Sequence, residues 1–292
     1  MKNCDCLLIR VSGELSLKSE QVREKFFSKL VRNLRKAMER ESVKYRIETN
    51  PSRIFVFTEE IEKATKIAKN IFGVSSLSPC WTCFSGLDEI KLLVSDVAVE
   101  NLKLDETKSF ALRVRKAGRH RKFSARAIAE EVGAAVKRVT RASVDLTAPD
   151  TEIFIECRSR RTYVFTERIE GVGGFPLGTG ARCVALVYSD LDLLAAWLCM
   201  RKGSPLIVLT DNEKYERILK SWHIGERIKV IYENFEGIES YLKKYSSYLW
   251  IHGSEDYALH SEKIVFANPI IALDEEFRRK MLEKIKEFEE IA

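Results

Sequence analysis

"VALVYSDLDLLAAWLCMRKG", residues 184–203, reads as a buried strand running directly into a helix. Val184 to Tyr188 is a continuous apolar run, and the stretch from Asp190 to Lys202 has helical length and is stopped by Gly203. A strand feeding a helix is the unit from which parallel α/β sheets are built. Such junctions often cradle phosphate, because glycines let several backbone N–H groups converge on an anion at the helix N-terminus. This junction has no glycine, so the stretch sets an α/β fold and leaves open what the junction holds.

Downstream the alternation continues: "PLIVLT", a helix over Asn212 to Trp222, "RIKVIY", a helix over Phe235 to Lys244, "YLWIHG", "PIIAL" as a strand, and a closing helix from Asp274. This predicts a doubly wound parallel sheet over 183–292. Upstream, "GVGGFPLGTG" packs five glycines and a proline into residues 171–180, the composition of a connector or a tight backbone-contact loop. We set the connector at 171–182.

The chain before it falls into two blocks. Over 1–78, "CLLIRV" reads as a strand and Glu20 to Arg40 as a helix with Val22, Phe26, Leu30, Leu34 and Met38 on one stripe. "KYRIET" and "RIFVFT" are strands joined by "NPS"; a helix over Glu60 to Phe72 is stopped by Gly73, and "VSSLSP" leads into a fourth strand. That order is the split βαβ pattern of a ferredoxin-like unit. Over 79–170, a helix from Asp88 to Leu102, "SFALRVR", a helix from Ser124 to Val139, then "ASVDL", "TEIFIEC" and "RTYVFTERI" make a second α+β block. Ser124 suits an N-cap, and Ile128, Val132, Val136 and Val139 form the buried stripe of its helix.

The 49 basic and 43 acidic residues leave only +6 overall, so the distribution of charge matters more than its sum. No stretch reaches about 18 uninterrupted apolar residues, and the N-terminus lacks the order of a signal peptide; these features predict a soluble, cytoplasmic chain. Charged residues are 32% of the chain and glutamine occurs once, at Gln21, a bias found in heat-adapted proteins. The sharpest local charge feature is "RVRKAGRHRKFSAR", residues 113–126. Arg113, Arg115, Lys116, Arg119, Arg121, Lys122 and Arg126 are basic and no residue in the stretch is acidic. It runs from a strand end through a loop to a helix start, so guanidinium forks and helix amides can face one phosphate-rich surface. We assign these seven residues to nucleic-acid binding, against the alternative of a solvated loop with scattered counter-charges.

"SGELSLKS" at 12, "EVGAAV" at 131, "VDLTAPDTEIFIE" at 144, "RTYVFTERIEGVGGFPLGTG" at 161, "WIHGSED" at 250 and "NPIIALDEEF" at 268, with the basic stretch, resemble the tRNA 4-thiouridine synthetase family of thiouridylation and thiamine biosynthesis. The resemblance implies a ferredoxin-like domain (1–78), a THUMP RNA-binding domain (79–170) and a PP-loop ATP pyrophosphatase-like domain (183–292). In that family the strand after the connector leads into SGGxDS, which holds ATP. Here the six positions are Val187, Tyr188, Ser189, Asp190, Leu191 and Asp192, without the motif glycines. Tyr188 sets a ring where phosphates approach, and Asp190 and Asp192 set carboxylates at the positive end of the helix. Read structurally, Asp190 and Asp192 cap the helix and Arg201 and Lys202 suit its end. The other reading is a Mg-assisted remnant site.

The family's sulfur chemistry also needs cysteine on the PP-loop domain. Cys183 and Cys199 read as small buried hydrophobes, no cysteine follows Cys199, and the remaining length suits no rhodanese domain. Seven cysteines are too few for a disulfide scaffold. Cys4 and Cys6 precede the first strand and Cys80 and Cys83 follow the fourth; a ferredoxin-like order sets those two strands side by side and antiparallel, which brings the start of one near the end of the other. Zinc, disulfides or unlinked thiols are open there, with unlinked thiols the default. His252, Ser254, Glu255 and Asp256 fall at a strand's C-terminal edge, where doubly wound sheets place ligands, and read as a vestigial cleft.

The expectation is a protein that binds tRNA or another structured RNA, has no catalytic residue of its own, needs no cofactor, and serves as an accessory to a separate modifying enzyme. The alternative is an active tRNA sulfurtransferase using ATP and Mg through a variant loop. A third reading makes the C-terminal domain a sensor of a small ligand other than ATP.

Overall fold

Strand alternation and helical stripes arrange the chain in two units, which the computed structural model describes over residues 2–117, 123–254 and 264–287. One unit gathers Met1–Arg10, Val43–Lys66 and Ser76–Glu170; the other gathers Val11–Ser42, Ile67–Ser75 and Gly171–Ala292. In chain order the elements are β1 (Cys6–Val11), α1 (Gly13–Ser16), α2 (Glu20–Arg40), β2 (Arg46–Asn50), β3 (Arg53–Phe57), α3 (Ile61–Ala68), β4 (Val74–Phe84), α4 (Leu87–Asp96), β5 (Ser109–Lys116), α5 (Ala125–Thr140), β6 (Ser143–Val144), β7 (Thr151–Cys157), β8 (Arg161–Phe165) and β9 (Ile169–Glu170). There follow β10 (Cys183–Leu186), α6 (Asp190–Arg201), β11 (Leu206–Thr210), α7 (Glu213–Trp222), β12 (Lys229–Tyr232), α8 (Glu239–Lys244), β13 (Leu249–Ile251), β14 (Phe266–Ala267) and α9 (Glu275–Glu287).

The first unit is built on a nine-stranded sheet, ordered β2-β3-β1-β4-β8-β7-β5-β6 with β9 beside β4. The order β4-β1-β3-β2 is the ferredoxin-like arrangement expected for residues 1–78. β4 carries the sheet onward because its 11 residues are long enough to serve two sets of partners: Ser76 and Leu77 pair with β9, and Trp81 to Phe84 pair with β8. Successive side chains on these strands point to opposite faces. Phe110, Ile153, Ile155 and Val164 pack with Leu93 and Val94 of α4 and Val132 and Val136 of α5. Cys6, Leu8, Phe55, Cys80, Tyr163 and Phe165 form a separate cluster with Phe57 and Phe154, drawn from strands alone. Ser124 caps α5, its Oγ accepting the Ala127 N–H at 3.0 Å. The expected stripe of α5 is corrected at its end: Val139 is 54% exposed and Thr140 is buried, because the four-residue step from Val136 lands on Thr140.

The second unit holds a five-stranded parallel sheet, ordered β12-β11-β10-β13-β14. Leu194, Trp197, Leu219, Trp222 and Ile285 belong to the cluster over one face, while Ile238, Tyr245, Trp250 and Ile264 belong to the other. The sheet is therefore covered on both sides, as a parallel sheet requires. Strand order reverses between β10 and β13, and ligands of doubly wound sheets sit outside the strand C-termini at such a reversal.

Three expected strands are corrected. "PIIAL" is not a strand; β14 is Phe266–Ala267, just before it. Pro269 brings no N–H to a ladder, and the Asn268 side chain takes the Ile270 N–H at 3.1 Å instead. "RTYVFTERI" divides into β8 and β9, which meet different stretches of β4, and "ASVDL" contributes only Ser143–Val144. The glycine-rich 171–180 segment is a backbone-contact loop. At Gly174 (φ +74°) a Cβ would meet the Arg201 carbonyl oxygen at 2.2 Å, and the Phe175 N–H donates to that oxygen at 2.9 Å.

One buried group makes the second unit sensitive to pH. His223 Nε2 accepts the Leu206 N–H at 3.1 Å, which leaves the Nδ1 proton to donate to the Glu226 carbonyl at 3.2 Å. The bond accepted by Nε2 needs the neutral ring, and burial holds its pKa below the ordinary 6.5. A lowered histidine pKa gives stability that is complete above about pH 6.5 and is lost as pH falls toward the folded-state value. Thermal melts from pH 8 to 5 are expected to fall more steeply in the wild type than in His223→Gln.

Candidate nucleic-acid interface and switch-point crevice

β5 delivers the start of the basic block to the sheet. In the parallel register, Arg113 lies beside Phe154 and Arg115 beside Glu156 of β7. Arg113 Nε pairs with Glu152 Oε1 at 2.6 Å, and its other nitrogen donates to the Leu146 carbonyl at 3.0 Å. Arg115 is exposed. Lys116 donates to the Phe123 carbonyl, and Arg126 pairs with Glu130 one turn along α5 at 2.7 Å. The block is thus partly answered through space by Glu152 and by the following helix. Arg119, Arg121 and Lys122 lie outside the described residues.

More arginines gather on the same face from places the local charge pattern did not mark. Arg10, next to last in β1, stands beside Arg53 of β3, Arg158 follows β7, and Arg168 precedes β9. Arg10 lies over Phe165 (4.9 Å to the ring centre), Arg158 over Phe55 (5.3 Å), Arg161 over Phe57 (4.6 Å) and Arg168 over Phe154 (4.8 Å). The rings themselves stack, Phe55 on Tyr163 at 4.4 Å and Phe154 on Phe165 at 5.2 Å. Glu156, 4% exposed, accepts from Arg158 Nε at 2.9 Å and lies 3.9 Å from Arg53 Nε. Burial, followed by the charges of Arg168 and Arg53, brings the Arg10 pKa down to about 10; burial also lowers that of Arg53. The sequence signal for these residues is weak: a base two positions from an aromatic at a strand end, as in "SRIF".

At the reversal point of the parallel sheet, α6 begins on a capping box. Ser189 is the N-cap, correcting the expectation that Asp190 and Asp192 cap the helix themselves: its Oγ accepts the Asp192 N–H at 3.2 Å. Asp190 instead meets Lys286 Nζ at 2.6 Å. Asp192 is 0% exposed. Its Oδ2 accepts from Tyr188 N (3.2 Å), Ser189 N (3.0 Å) and Ser189 Oγ (2.8 Å), and its Oδ1 from Gly253 N (2.7 Å) and Ser254 N (3.2 Å). One carboxylate thus joins the loops after β10 and β13. At Gly253 a Cβ would meet the Leu191 carbonyl oxygen at 2.1 Å, so the two loops are pressed together. Thr210 Oγ donates to the Val187 carbonyl at 2.6 Å, and Tyr188 turns away to donate to the Glu233 carbonyl at 3.0 Å. His252 and Ser254 lie beside this crevice, Nδ1 of the histidine 2.7 Å from the Ser254 carbonyl oxygen; Glu255 and Asp256 lie outside the described residues.

All seven cysteines are free thiols. Cys6 and Cys80 belong to the strand-only cluster, whereas Cys4 and Cys83 pack against the helix-covered core. Alternation separates Cys80 from Cys83, which are an odd number of residues apart, while Cys4 precedes β1 and is not bound by its alternation. Burial pushes Cys4, Cys83 and Cys199 up to about 12 and raises Cys183, which disfavours the thiolate needed for nucleophilic or metal chemistry. Among the described residues, no group of His, Cys, Asp and Glu is placed to hold a metal ion, and no helix is long and apolar enough to cross a membrane.

A ferredoxin-like sheet continued into a second mixed α/β layer, accompanied by a doubly wound parallel unit, defines the class. Residues 6–78 match the ThiI ferredoxin-like domain and residues 84–167 the THUMP domain; the chain belongs to the family that joins these two domains. A "Probable tRNA sulfurtransferase" of Methanobrevibacter smithii is 32% identical over 250 residues, 84% of this chain and 61% of the relative. The tRNA sulfurtransferase of Pyrobaculum aerophilum is 35% identical over 78% of this chain and 48% of its own length. The chain thus spans about half to six tenths of these curated relatives. Among solved structures, PH1313 from Pyrococcus horikoshii Ot3 is similar with a TM-score of 0.78 and 26% identity, over 96% of this chain and 99% of that one. A 4-thiouridine synthetase, solved as an RNA complex with bound ATP, shares the fold with a TM-score of 0.75 and 19% identity, over 99% of this chain and 87% of that one.

Proposed function

We propose that the protein binds tRNA or a similar structured RNA in the cytoplasm through its ferredoxin-like and THUMP domains. In this reading the parallel-sheet unit has no ATP pyrophosphatase or sulfurtransferase activity and presents the RNA to a separate modifying enzyme. RNA binding is supported by the THUMP domain, by relatives named for tRNA sulfur transfer, and by the arginines that β5 and its neighbours bring to one face. The observation that carries the rest is the Asp192 carboxylate. A triphosphate entering the switch-point crevice would have to displace it from five donors, and the residues here do not fit ATP. Asp190, paired with Lys286, is likewise engaged, which counts against the Mg-assisted alternative.

Calorimetric titration with ATP–Mg²⁺, with and without bulk tRNA, tests both halves. The expected result is no saturable heat from ATP and salt-sensitive binding of tRNA. Saturable ATP binding would make Val187 to Asp192 a working variant loop and move the sulfurtransferase reading to first place. Absence of tRNA binding would remove the RNA half.

A further inference from the structure

We propose that the strand-only face of the nine-stranded sheet is a docking surface for the phosphate backbone of RNA, with Arg115 and Arg168 as its outer contacts over a fixed layer of Arg10, Arg53 and Arg158. The inference rests on the RNA-binding reading and names a surface beyond the loop of the basic block.

The first argument is charge. Arg10, Arg53, Arg115, Arg158 and Arg168 act on one another around Glu156, the carboxylate that both Arg10 and Arg53 feel. Arg158 and Arg53 already lie against that carboxylate. Arg115 and Arg168 are exposed, and among the described residues neither has a carboxylate within ion-pair distance. Arg10 is lowered first by burial and then by the charges of Arg168 and Arg53, and an arriving anion would relieve that second, repulsive part.

The second argument is preorganisation. The guanidinium groups of Arg10, Arg158 and Arg168 sit over Phe165, Phe55 and Phe154, rings that are themselves stacked in pairs. Held there, they lose little further freedom when an anion binds, and a guanidinium can offer two parallel N–H donors to one phosphate. From β3 to β5 the face crosses six strands, or about 24 Å at the usual strand spacing, room for several successive phosphates. The rings lie under arginines rather than open to bases, so the surface positions a backbone without reading sequence.

The test compares the full-length wild type with Arg115→Glu/Arg168→Glu, using fluorescence anisotropy with bulk tRNA at several salt concentrations. The double variant is expected to bind on the order of tenfold or more weakly, with the log–log salt slope reduced by about 2. Arg115→Lys/Arg168→Lys should keep the slope, and Lys280→Glu on α9, a charge reversal in the other unit, should match the wild type. Thermal melts confirm folding, and Arg115→Gln/Arg168→Gln replaces the double reversal should that one fail to fold. Unchanged affinity and slope in the double variant overturns the surface while leaving RNA binding intact. Loss of RNA binding in the wild type overturns the underlying reading instead. Preference of the wild type for poly-glutamate over tRNA would assign the face to an acidic protein and overturn the inference as well.

Discussion

Asp192→Ala is expected to destabilise the protein by about 3–5 kcal/mol, the cost of stranding several buried donors around a deleted charge. Four backbone N–H groups, from Tyr188, Ser189, Gly253 and Ser254, lose an acceptor within 3.2 Å, and the Ser189 hydroxyl loses the same partner. A single water cannot replace it, because a water oxygen has two lone pairs and five donors converge on the place. In a thermal melt the loss corresponds to roughly 10 °C. Asp192→Asn should fall between, since an amide keeps one acceptor oxygen and brings two donors into a ring of donors. Added formate, small enough for the vacated place, should restore part of the loss in Asp192→Ala and none in the wild type. A melt within 2 °C of wild type would mean that the five contacts contribute little and that the crevice is free to accept another anion.

The alternation of strands and helices after residue 183 was legible because each parallel strand is a short apolar run followed by a helix with its own start and stop residues. The ferredoxin-like order was legible for a similar reason, and Ser124 as a cap could be read from one residue. What the sequence concealed depends on contacts far apart along the chain. The absence of glycine from Val187 to Asp192 is visible at once, but the partners that give Asp192 its role, Gly253 and Ser254, are 61 and 62 residues away. Reading Asp190 and Asp192 as equivalent caps missed that one points to Lys286 and the other inward. Similarly, the run from Arg113 to Arg126 stands out because its charges are adjacent in sequence, whereas Arg10, Arg53 and Arg168 are isolated bases, and their proximity to one another and to Arg158 of the short "RSRR" turn depends on strand register. Pro269 carried the signal that "PIIAL" could not be a regular strand, but the surrounding apolar residues outweighed it.

Register also explains why Glu156 should be the most consequential acidic residue of the first unit. It stands beside Arg115, accepts from Arg158 and lies near Arg53, while being almost fully buried. Glu156→Gln keeps the shape and removes the charge, leaving the surrounding guanidinium groups to repel one another in partly desolvated positions. Breaking a buried pair in this way costs about 3–5 kcal/mol, so a fall in melting temperature of roughly 10 °C is expected at low salt. Here the response to conditions separates the two sites. The donors around Asp192 are neutral N–H and O–H groups, and salt screening has little to act on. Those around Glu156 are cations, so the Glu156→Gln deficit should shrink as salt rises from about 0.05 to 0.5 M. It should shrink further with saturating tRNA, because the polyanion supplies the charge the variant lacks and binds only the folded face. Melts of Glu156→Gln across salt, with and without tRNA, check this directly. A deficit unchanged by either would mean that Glu156 acts only through packing and that the arginines it joins carry no unanswered charge.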